Sequence, residues 1–292
     1  MYSNRQTIEK TIEWIASFLR KENISFGHGT DNPIDEAAAL VFYALKKDSF
    51  RQFQREGNRK ISLAELKKIK KALKLRIESR LPLGYIFGRV LYCDKFFFIS
   101  KDSIIPRSPI GLLLQSDQIK KLRPKKILDL CCGSGALAII AQFTFPEARI
   151  DAVDISEKTL RDAKKNRGYH SISPKKLRII KSDLFQELKN ETYDLIITNP
   201  PYVSRSEMKT LPAEYQSEPR TALTSGKNGL EIVKRILNNG KEFLHKDGIL
   251  IGEVGYNQKS QLKALFPDLD LLWPRYWCDF GIFFLPYSNF PE

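Results

Sequence analysis

A short apolar strand, a glycine-containing turn and a helix follow one another directly in this chain, and this order constrains its fold most. Lys126–Leu130 is apolar enough for a buried strand, and residues 131–135 form a tight loop. Residues 136–143 then carry apolar side chains at helical spacing. Such a unit opens nucleotide-binding α/β domains. Gly133 and Gly135 lack a Cβ atom, so a ligand can approach the backbone closely there.

The loop alone leaves two kinds of ligand open. The spacing Gly133-x-Gly135-x-x-Ala138 also matches the dinucleotide fingerprint of dehydrogenases. Asp129 favours another ligand, because a carboxylate at the end of the first strand repels a pyrophosphate and suits a cationic amino-acid group. A sulfonium nucleoside such as S-adenosyl-L-methionine carries an ammonium group and no phosphate.

Two further acidic residues follow the next two predicted strands. Strand 148–153 ends in Asp154, and an acidic group ~20 residues beyond such a loop suits the two hydroxyls of a ribose. Strand 177–181 is followed by Ser182 and Asp183, whose carboxylate suits an adenine amino group. The loop and the three carboxylates together predict a site for S-adenosyl-L-methionine.

The tetrapeptide Asn199, Pro200, Pro201 and Tyr202 follows the apolar run 195–197. Both prolines fix φ at about −65° and lack an N–H, so the bend is stiff. Asn199 offers a side-chain oxygen and the Asn-Pro segment a carbonyl, and two acceptors suit a planar NH2 group with two protons to donate. Tyr202 adds an aromatic face to lie against a flat group. An ordinary turn has a similar composition, but the upstream loop favours a methyltransferase that acts on a planar amino group.

Composition limits the partners and the compartment. The net charge is +14, and residues 51–80 hold eleven Lys and Arg against three Glu. Such a segment fits an anionic partner such as ribosomal RNA, and it equally fits a solvated helix face. No stretch approaches the ~20 apolar residues of a membrane span. The N-terminus lacks an apolar export segment, and the four cysteines lack paired zinc spacing, so we expect a cytoplasmic protein without a metal site or membrane contact.

The pattern along the chain predicts three parts. Residues 1–80 read as a small helical substrate-recognition domain, residues 81–108 as a linker with a hairpin, and residues 109–292 as the catalytic domain. Strands that alternate with helices predict a mostly parallel sheet with its site at the carboxyl ends of the strands. The polar, proline-broken segment 207–220 is predicted to be a flexible loop over the site.

These residues resemble the protein-glutamine methyltransferases, and the resemblance covers nearly the whole chain. It rests on Ile105-Pro106-Arg107, the loop 129–135, Val153-Asp154-Ile155, Asn199 to Tyr202, and Glu218-Pro219 with Ala222-Leu223. The resemblance implies an α/β, Rossmann-like class I fold with a seven-stranded, mostly parallel sheet. It also implies methyl transfer from S-adenosyl-L-methionine to a glutamine side-chain nitrogen.

The resemblance extends the set of site residues. The catalytic candidates are Asn199, Pro200 and Tyr202, and Pro201 joins them as a substrate-binding candidate. The cofactor-binding candidates are Asp129, Cys131, Gly133, Gly135, Asp154, Ile155, Asp183, Leu184 and Asn199. The family often has Thr in place of Cys132, a departure that is expected to have a mild effect, since backbone groups dominate the loop.

The branch of the family sets the substrate. Tyr92-Cys93-Asp94, residues 106–111 and Ser182-Asp183-Leu184-Phe185 look most like the branch that modifies large-subunit ribosomal protein L-three, here called uL3. The alternatives are the glutamine of the GGQ motif in peptide chain release factors and, less in keeping with the motifs, an adenine in nucleic acid. A binding protein with a degenerate site is a third reading, but every expected acceptor is intact.

Overall fold

The structure, a computed structural model, describes residues 6–291 and divides into two compact units. One unit comprises the chain up to Leu91 together with residues 212–217, and the other comprises the remainder. The expectation about an export segment concerns Met1–Arg5, which lie outside the described residues. No helix in the described part of the chain is long and apolar enough to cross a membrane.

The first unit is helical. Thr7, Asn32 and Ser62 cap the first, second and fourth helices through their side chains, and Ser62 with Glu65 forms the capping box that the sequence predicts. Its helices are α1 (Ile8–Leu19), α2 (Pro33–Ala44), α3 (Phe50–Gln54), α4 (Leu63–Ser79) and α5 (Leu83–Phe87), and Ala213–Gln216 adds a short one. Apolar side chains that recur along α1, α2 and α4 form the buried core of this unit.

A two-stranded sheet follows, and the boundary between the units falls in its first strand. Strand β1 (Arg89–Tyr92) and strand β2 (Lys95–Phe98) are joined by Cys93 and Asp94. Both joining residues have positive φ, 48° and 58°, as the tight turns of hairpins require. Both strands lie within residues 81–108, the segment that the sequence predicts to be a linker with a hairpin.

The second unit is built on a six-stranded sheet with helices between its strands. Its strands are β3 (Lys126–Leu130), β4 (Arg149–Asp154), β5 (Leu177–Lys181), β6 (Tyr193–Thr198), β7 (Leu244–Glu253) and β8 (Ile282–Pro286). Its α-helices are α6 (Ile110–Leu114), α7 (Asp117–Lys120), α8 (Ala136–Thr144), α9 (Glu157–Tyr169), α10 (Glu207–Thr210), α12 (Arg220–Leu223), α13 (Glu231–Asn239) and α14 (Lys259–Leu265), and α11 is the short helix Ala213–Gln216 of the first unit. Short 3-10 helices cover Gly240–Phe243, Tyr256–Gln258, Cys278–Phe280 and Tyr287–Asn289.

The strand order is β5-β4-β3-β6-β7-β8, parallel except for the antiparallel pair β7 and β8. The predicted α/β class with a mostly parallel sheet is therefore confirmed. Residues 6–291 contain six strands of this sheet, not the seven implied by the resemblance. At the position of a further edge strand, Leu272 makes one isolated antiparallel bridge with Phe284 of β8.

The register of the central strands brings the functional side chains together. Leu130 of β3 pairs with Val153 of β4 on one side and with Thr198 of β6 on the other. The next residue of each strand therefore emerges at the same edge, and these residues are Cys131, Asp154 and Asn199. Thr198 also pairs with Gly252 of β7, which brings Glu253 to the same edge.

Segment 207–220 differs from its prediction. It is not a simple loop: α10 and α11 lie in it, and α12 begins at its end. Glu214 and Glu218, two charged residues that read as loop residues in the sequence, are both buried. Glu214 pairs with Arg76 and Arg80 of the first unit, and Glu218 pairs with Arg107 of the second. The partners lie far away in the sequence, so local composition carries no sign of them.

Candidate active site

Two cavities lie at the carboxyl edge of the sheet and share three residues. The large cavity has a volume of about 280 Å³, and the small one has a volume of about 40 Å³. Ile104, Cys131 and Asn199 line both. The large cavity is lined by eight of the residues predicted from the sequence: Cys131, Gly133, Asp154, Ile155, Asp183, Leu184, Asn199 and Pro201.

Asp154 is held rigidly at the end of β4. Its Oδ2 accepts from the Gly133 amide at 3.0 Å and its Oδ1 from the Ser156 amide at 2.9 Å. Burial raises the pKa of this carboxyl, while the two amide hydrogen bonds lower it. Each carboxylate oxygen keeps further acceptor capacity for a ligand in the large cavity.

Asp183 lies after β5 and pairs with an arginine that the sequence does not single out. Its Oδ2 accepts from Arg235 Nη2 of α13 at 2.9 Å. Arg235 lines the large cavity, so one oxygen of the carboxylate faces a guanidinium rather than a free site. The sequence gives no sign of this pair, since Arg235 is one polar residue on an amphipathic helix.

The loop after β3 needs left-handed backbone at three positions. Cys131, Gly133 and Gly135 have φ of 58°, 56° and 76°. A Cβ at Gly133 would meet Ile104 at an ordinary 3.7 Å, so the positive φ and not lack of space favours glycine there, and Gly133 lines the large cavity. A Cβ at Gly135 would lie 3.1 Å from that of Ala163 in α9, and Gly135 therefore permits close helix packing and does not line the cavity.

Asp129 lies behind the loop and not in the cavity wall. It is fully buried, and its Oδ2 accepts from the Ala138 amide at 2.9 Å in the first turn of α8. Among the described residues, its Oδ1 has no hydrogen-bond partner. Burial raises the pKa of the carboxyl well above its usual range, and the nearby Asp154 raises it further. One oxygen of the carboxylate is engaged at the positive end of a helix, and the contact with a cationic group that the sequence suggests stays a prediction.

Asn199 follows β6 and stands between the two cavities. Its side chain is half-buried, and it forms no hydrogen bond with another residue in the described part of the chain. The carboxamide is therefore open to a ligand from either cavity. Pro201 lines the large cavity, whereas Pro200 is buried and lines neither.

Tyr202 is directed to the protein rather than to a cavity. Its hydroxyl donates to Glu253 Oε1 at 2.9 Å. Tyr202 lines neither of the two cavities. The hydroxyl is engaged by a carboxylate at the end of the neighbouring strand, and the aromatic contact with a ligand that the sequence suggests stays a prediction.

Arg107 and Glu218 form an ion pair beside the small cavity. The pair joins the motif 105–107 to the motif that begins at Glu218. The guanidinium donates to both carboxylate oxygens at 2.7 Å, and the Ile105 amide donates to Glu218 Oε1 at 3.0 Å. This bidentate geometry is the strongest form of such a pair. It fixes residues 104–107, including Ile104, against the segment that leads to the cavity-lining residues Thr221 and Ala222.

The chain is similar to a known domain family and to known proteins. The methyltransferase small domain matches residues 111–226. A protein of Bordetella pertussis named "Ribosomal protein uL3 glutamine methyltransferase" is 35% identical over 92% of this chain and 90% of its own length. A protein of Bradyrhizobium diazoefficiens with the same name is 37% identical over 91% of this chain and 86% of its own length.

A solved structure matches the fold over most of the chain. The hMettl16 catalytic domain, in complex with MAT2A 3'UTR hairpin 6, superposes with a TM-score of 0.53 over 85% of this chain and 92% of that one, at 16% identity. At that identity the likeness concerns the fold alone. The identity to the two sequence relatives is much higher and extends over both units. The chain belongs to the protein-glutamine methyltransferase family, in the branch whose members carry the name ribosomal protein uL3 glutamine methyltransferase.

Proposed function

We propose that this enzyme transfers a methyl group from S-adenosyl-L-methionine to the side-chain amide nitrogen of a glutamine in ribosomal protein uL3. One observation carries the proposal: the Asn199 carboxamide lies between a large and a small cavity and has no hydrogen-bond partner among the described residues. The names of the two relatives support uL3 as the substrate.

The large cavity suits the cofactor. Its volume of about 280 Å³ is near the lower end of ligand clefts, which begin at about 300 Å³. Asp154 would accept from the ribose hydroxyls, and the apolar side chains of Ile155, Leu184 and Ile232 would cover the adenine ring. The unpartnered, buried Asp129 Oδ1 behind the loop is consistent with a cation nearby. When bound, S-adenosyl-L-methionine supplies an electrophilic methyl group on a positively charged sulfur.

The small cavity suits a narrow, uncharged side chain. The amide nitrogen of glutamine is planar, because its lone pair is delocalised into the carbonyl. Asn199 Oδ1 would accept one amide N–H, and Ile104 would contact the aliphatic part of the side chain. This acceptor gains strength as positive charge develops on the nitrogen. The second acceptor predicted from the sequence, the Pro200 carbonyl, belongs to a residue that lines neither cavity, so the proposal rests on Asn199. The methylated nitrogen is a strong acid, so its proton leaves to water and no protein base is assigned.

A labelling experiment separates the candidate substrates. The purified enzyme is incubated with cofactor that carries a labelled methyl group and, in parallel, with unmethylated uL3, a release factor, and ribosomal RNA. We expect label in uL3. Label in the release factor alone would show that the enzyme modifies release factors and not uL3. Label in RNA alone would show that glutamine is not the acceptor.

We also propose that the helical unit recognises uL3 while uL3 is bound to ribosomal RNA. We propose that this takes place in the cytoplasm. Helix α4 supports this, since five of its lysines are exposed: Lys67, Lys68, Lys70, Lys71 and Lys74. Neutralised phosphates release counterions, so affinity for RNA-bound uL3 should fall steeply with salt. Replacing Lys67, Lys68 and Lys71 with Glu should flatten that salt dependence and leave methylation of free uL3 unchanged. An unchanged salt dependence would refute RNA contact by this helix, and cell fractionation checks the compartment.

A further inference from the structure

Glu253 is a buried acid at the edge of the sheet that carries the active site, and the mechanism above does not use it. It is the last residue of β7 and is 5% exposed. Its Oε1 accepts from the Tyr202 hydroxyl at 2.9 Å, and its Oε2 accepts from the Ser108 hydroxyl. Burial raises its pKa, while the two hydroxyls and Arg107 lower it. A buried charge is unfavourable unless it is hydrogen-bonded. The two hydroxyl partners of Glu253 therefore suggest that this acid has a local role.

The backbone of Tyr202 is held from the same segment. Gln258 Nε2 donates to the Tyr202 carbonyl at 2.9 Å and to the Asn228 carbonyl at 3.3 Å. Gln258 Oε1 accepts from the Gly255 amide at 2.9 Å, which fixes the orientation of the carboxamide. A Cβ at Gly229 would lie 2.1 Å from the Tyr202 carbonyl oxygen, so the backbone at Gly229 packs tightly against this carbonyl.

Tyr202 is thus fixed at its hydroxyl by the last residue of β7 and at its carbonyl by Gln258, which follows β7. It is joined to Asn199 by two prolines, whose rings fix φ and leave few ways for the bend to relax. A displacement of Tyr202 is therefore passed on to Asn199. In catalysis, a misplacement of about 1 Å can cost about 100-fold in rate.

We propose that Glu253 is a positioning residue for methyl transfer, which holds the Tyr202 hydroxyl and thereby sets the place of the Asn199 carboxamide between the two cavities. The proposal rests on the proposed function. It assigns no proton transfer to Glu253 or Tyr202, and neither residue lines the cavities.

The test is a double-mutant cycle in kcat. Glu253→Gln keeps the shape of the side chain, and Tyr202→Phe removes the hydroxyl it holds. We expect each variant to lose about 10- to 100-fold in kcat with uL3. The double variant should lose no more than the single variant that has the lower kcat. The dissociation constant for S-adenosylhomocysteine, measured by calorimetry, should remain unchanged, because neither residue lines the large cavity.

Tyr193→Phe is the matched control. Tyr193 lies at the opposite end of β6 and donates to Asp151 Oδ2 at 2.8 Å, so this change removes the same type of buried bond far from the site. It should lower the melting temperature and leave kcat unchanged. If Glu253→Gln does not fold, Tyr202→Phe against Tyr193→Phe carries the test alone, with a loss of kcat expected only in the former.

Three results would overturn the proposal: unchanged kcat in Tyr202→Phe, losses that multiply in the double variant, or an equal loss in Tyr193→Phe. A wild-type enzyme that does not methylate uL3 would instead refute the proposed function. The two failures are therefore distinguishable.

Discussion

Asn199 combines a fixed backbone with a side-chain carboxamide that has no partner among the described residues. It follows a buried strand directly, which fixes its backbone, and two prolines follow it, which stiffen the bend. Its carboxamide nevertheless has no partner among residues 6–291 and faces two cavities. The polar atoms of this side chain are not among the buried atoms without a partner, so a ligand that donates hydrogen bonds can reach them.

Replacing Asn199 with Ala should abolish most of the activity and leave cofactor affinity intact. The loss of one preorganised hydrogen-bonding group in an active site costs about 10²- to 10³-fold in kcat. Calorimetry with S-adenosylhomocysteine checks the affinity, and a methylation assay with uL3 checks the rate. An active Asn199→Ala enzyme would show that the carboxamide does not hold the acceptor amide.

Replacing Asp154 with Asn should have the opposite profile. The ribose hydroxyls lose a charged acceptor, and hydrogen bonds to charged groups contribute about 1.5–3 kcal/mol, so cofactor affinity should fall roughly ten- to a hundredfold. Asp194→Asn is the matched control, since Asp194 also accepts from two backbone amides, those of Lys125 and Lys126. Equal losses of affinity in both variants would argue against a ribose contact at Asp154.

The sequence predicts the position of site residues better than their partners. Carboxyl ends of parallel strands meet at one edge, so Cys131, Asp154 and Asn199 could be placed together from the strand pattern alone. The partners of Asp183 and Tyr202, namely Arg235 and Glu253, lie 52 and 51 residues further along the chain. Such pairs depend on helix and strand packing, which no local pattern encodes.

Among the secondary-structure elements, α8 is most closely tied to the chemistry. Its N-cap residue is Gly135, which has no side chain to cap the helix, and Asp129 of β3 accepts from the Ala138 amide in its first turn. The carboxylate thus takes the role of a capping residue from another element. This contact ties the loop to the strand beneath it.

The buried Asp129 should make stability depend on pH. Burial raises its pKa in the folded protein, whereas the unfolded chain keeps a value of about 3.9. Between these two values the folded state binds a proton that the unfolded state does not, so stability falls as pH rises. Asp129→Asn keeps an acceptor for Ala138 and removes the titration. Thermal melts of the cofactor-free protein should show the variant gaining on the wild type as pH rises, and parallel curves would contradict this.

Segment 207–220 shows where the reading of elements from sequence fails. Its prolines and polar residues are typical of a loop, yet three short helices lie in it or begin there, and two of its glutamates are buried. Each glutamate is buried because an arginine from a distant part of the chain pairs with it. At the edge of the described sheet, Leu272 makes one isolated bridge with Phe284 instead of forming the seventh strand that the resemblance implies.

Segment 212–217 is separated in the sequence from the rest of the unit to which it belongs. It belongs to the helical unit, while residues 211 and 218 on either side belong to the catalytic unit. Glu214 anchors it by accepting from Arg76 at 3.1 Å and by pairing with Arg80 at 2.8 Å. Arg76 also donates to Glu36 at 2.6 Å and to the Ser25 carbonyl at 2.9 Å. The helical unit therefore depends on a segment that lies between two parts of the catalytic unit in the sequence.

Replacing Glu214 with Ala should destabilise the protein by about 3 kcal/mol, because it leaves a buried arginine with one carboxylate instead of two. Glu78→Ala is the control: Glu78 forms an exposed pair with Lys74 at 3.7 Å, and such pairs contribute at most about 1 kcal/mol. Denaturant unfolding of both variants measures the difference. Equal, small effects would show that the buried cluster does not anchor segment 212–217.

The position of the transferred methyl group shows whether the enzyme modifies a glutamine amide and whether Asn199 is needed for it. Unmethylated uL3 is incubated with the enzyme and the cofactor, and tandem mass spectrometry identifies the modified residue and atom. We expect one added methyl group on the side-chain nitrogen of a single glutamine, and none with Asn199→Ala. A methyl group on any other residue type, or on that glutamine at an undiminished rate with Asn199→Ala, would contradict this expectation.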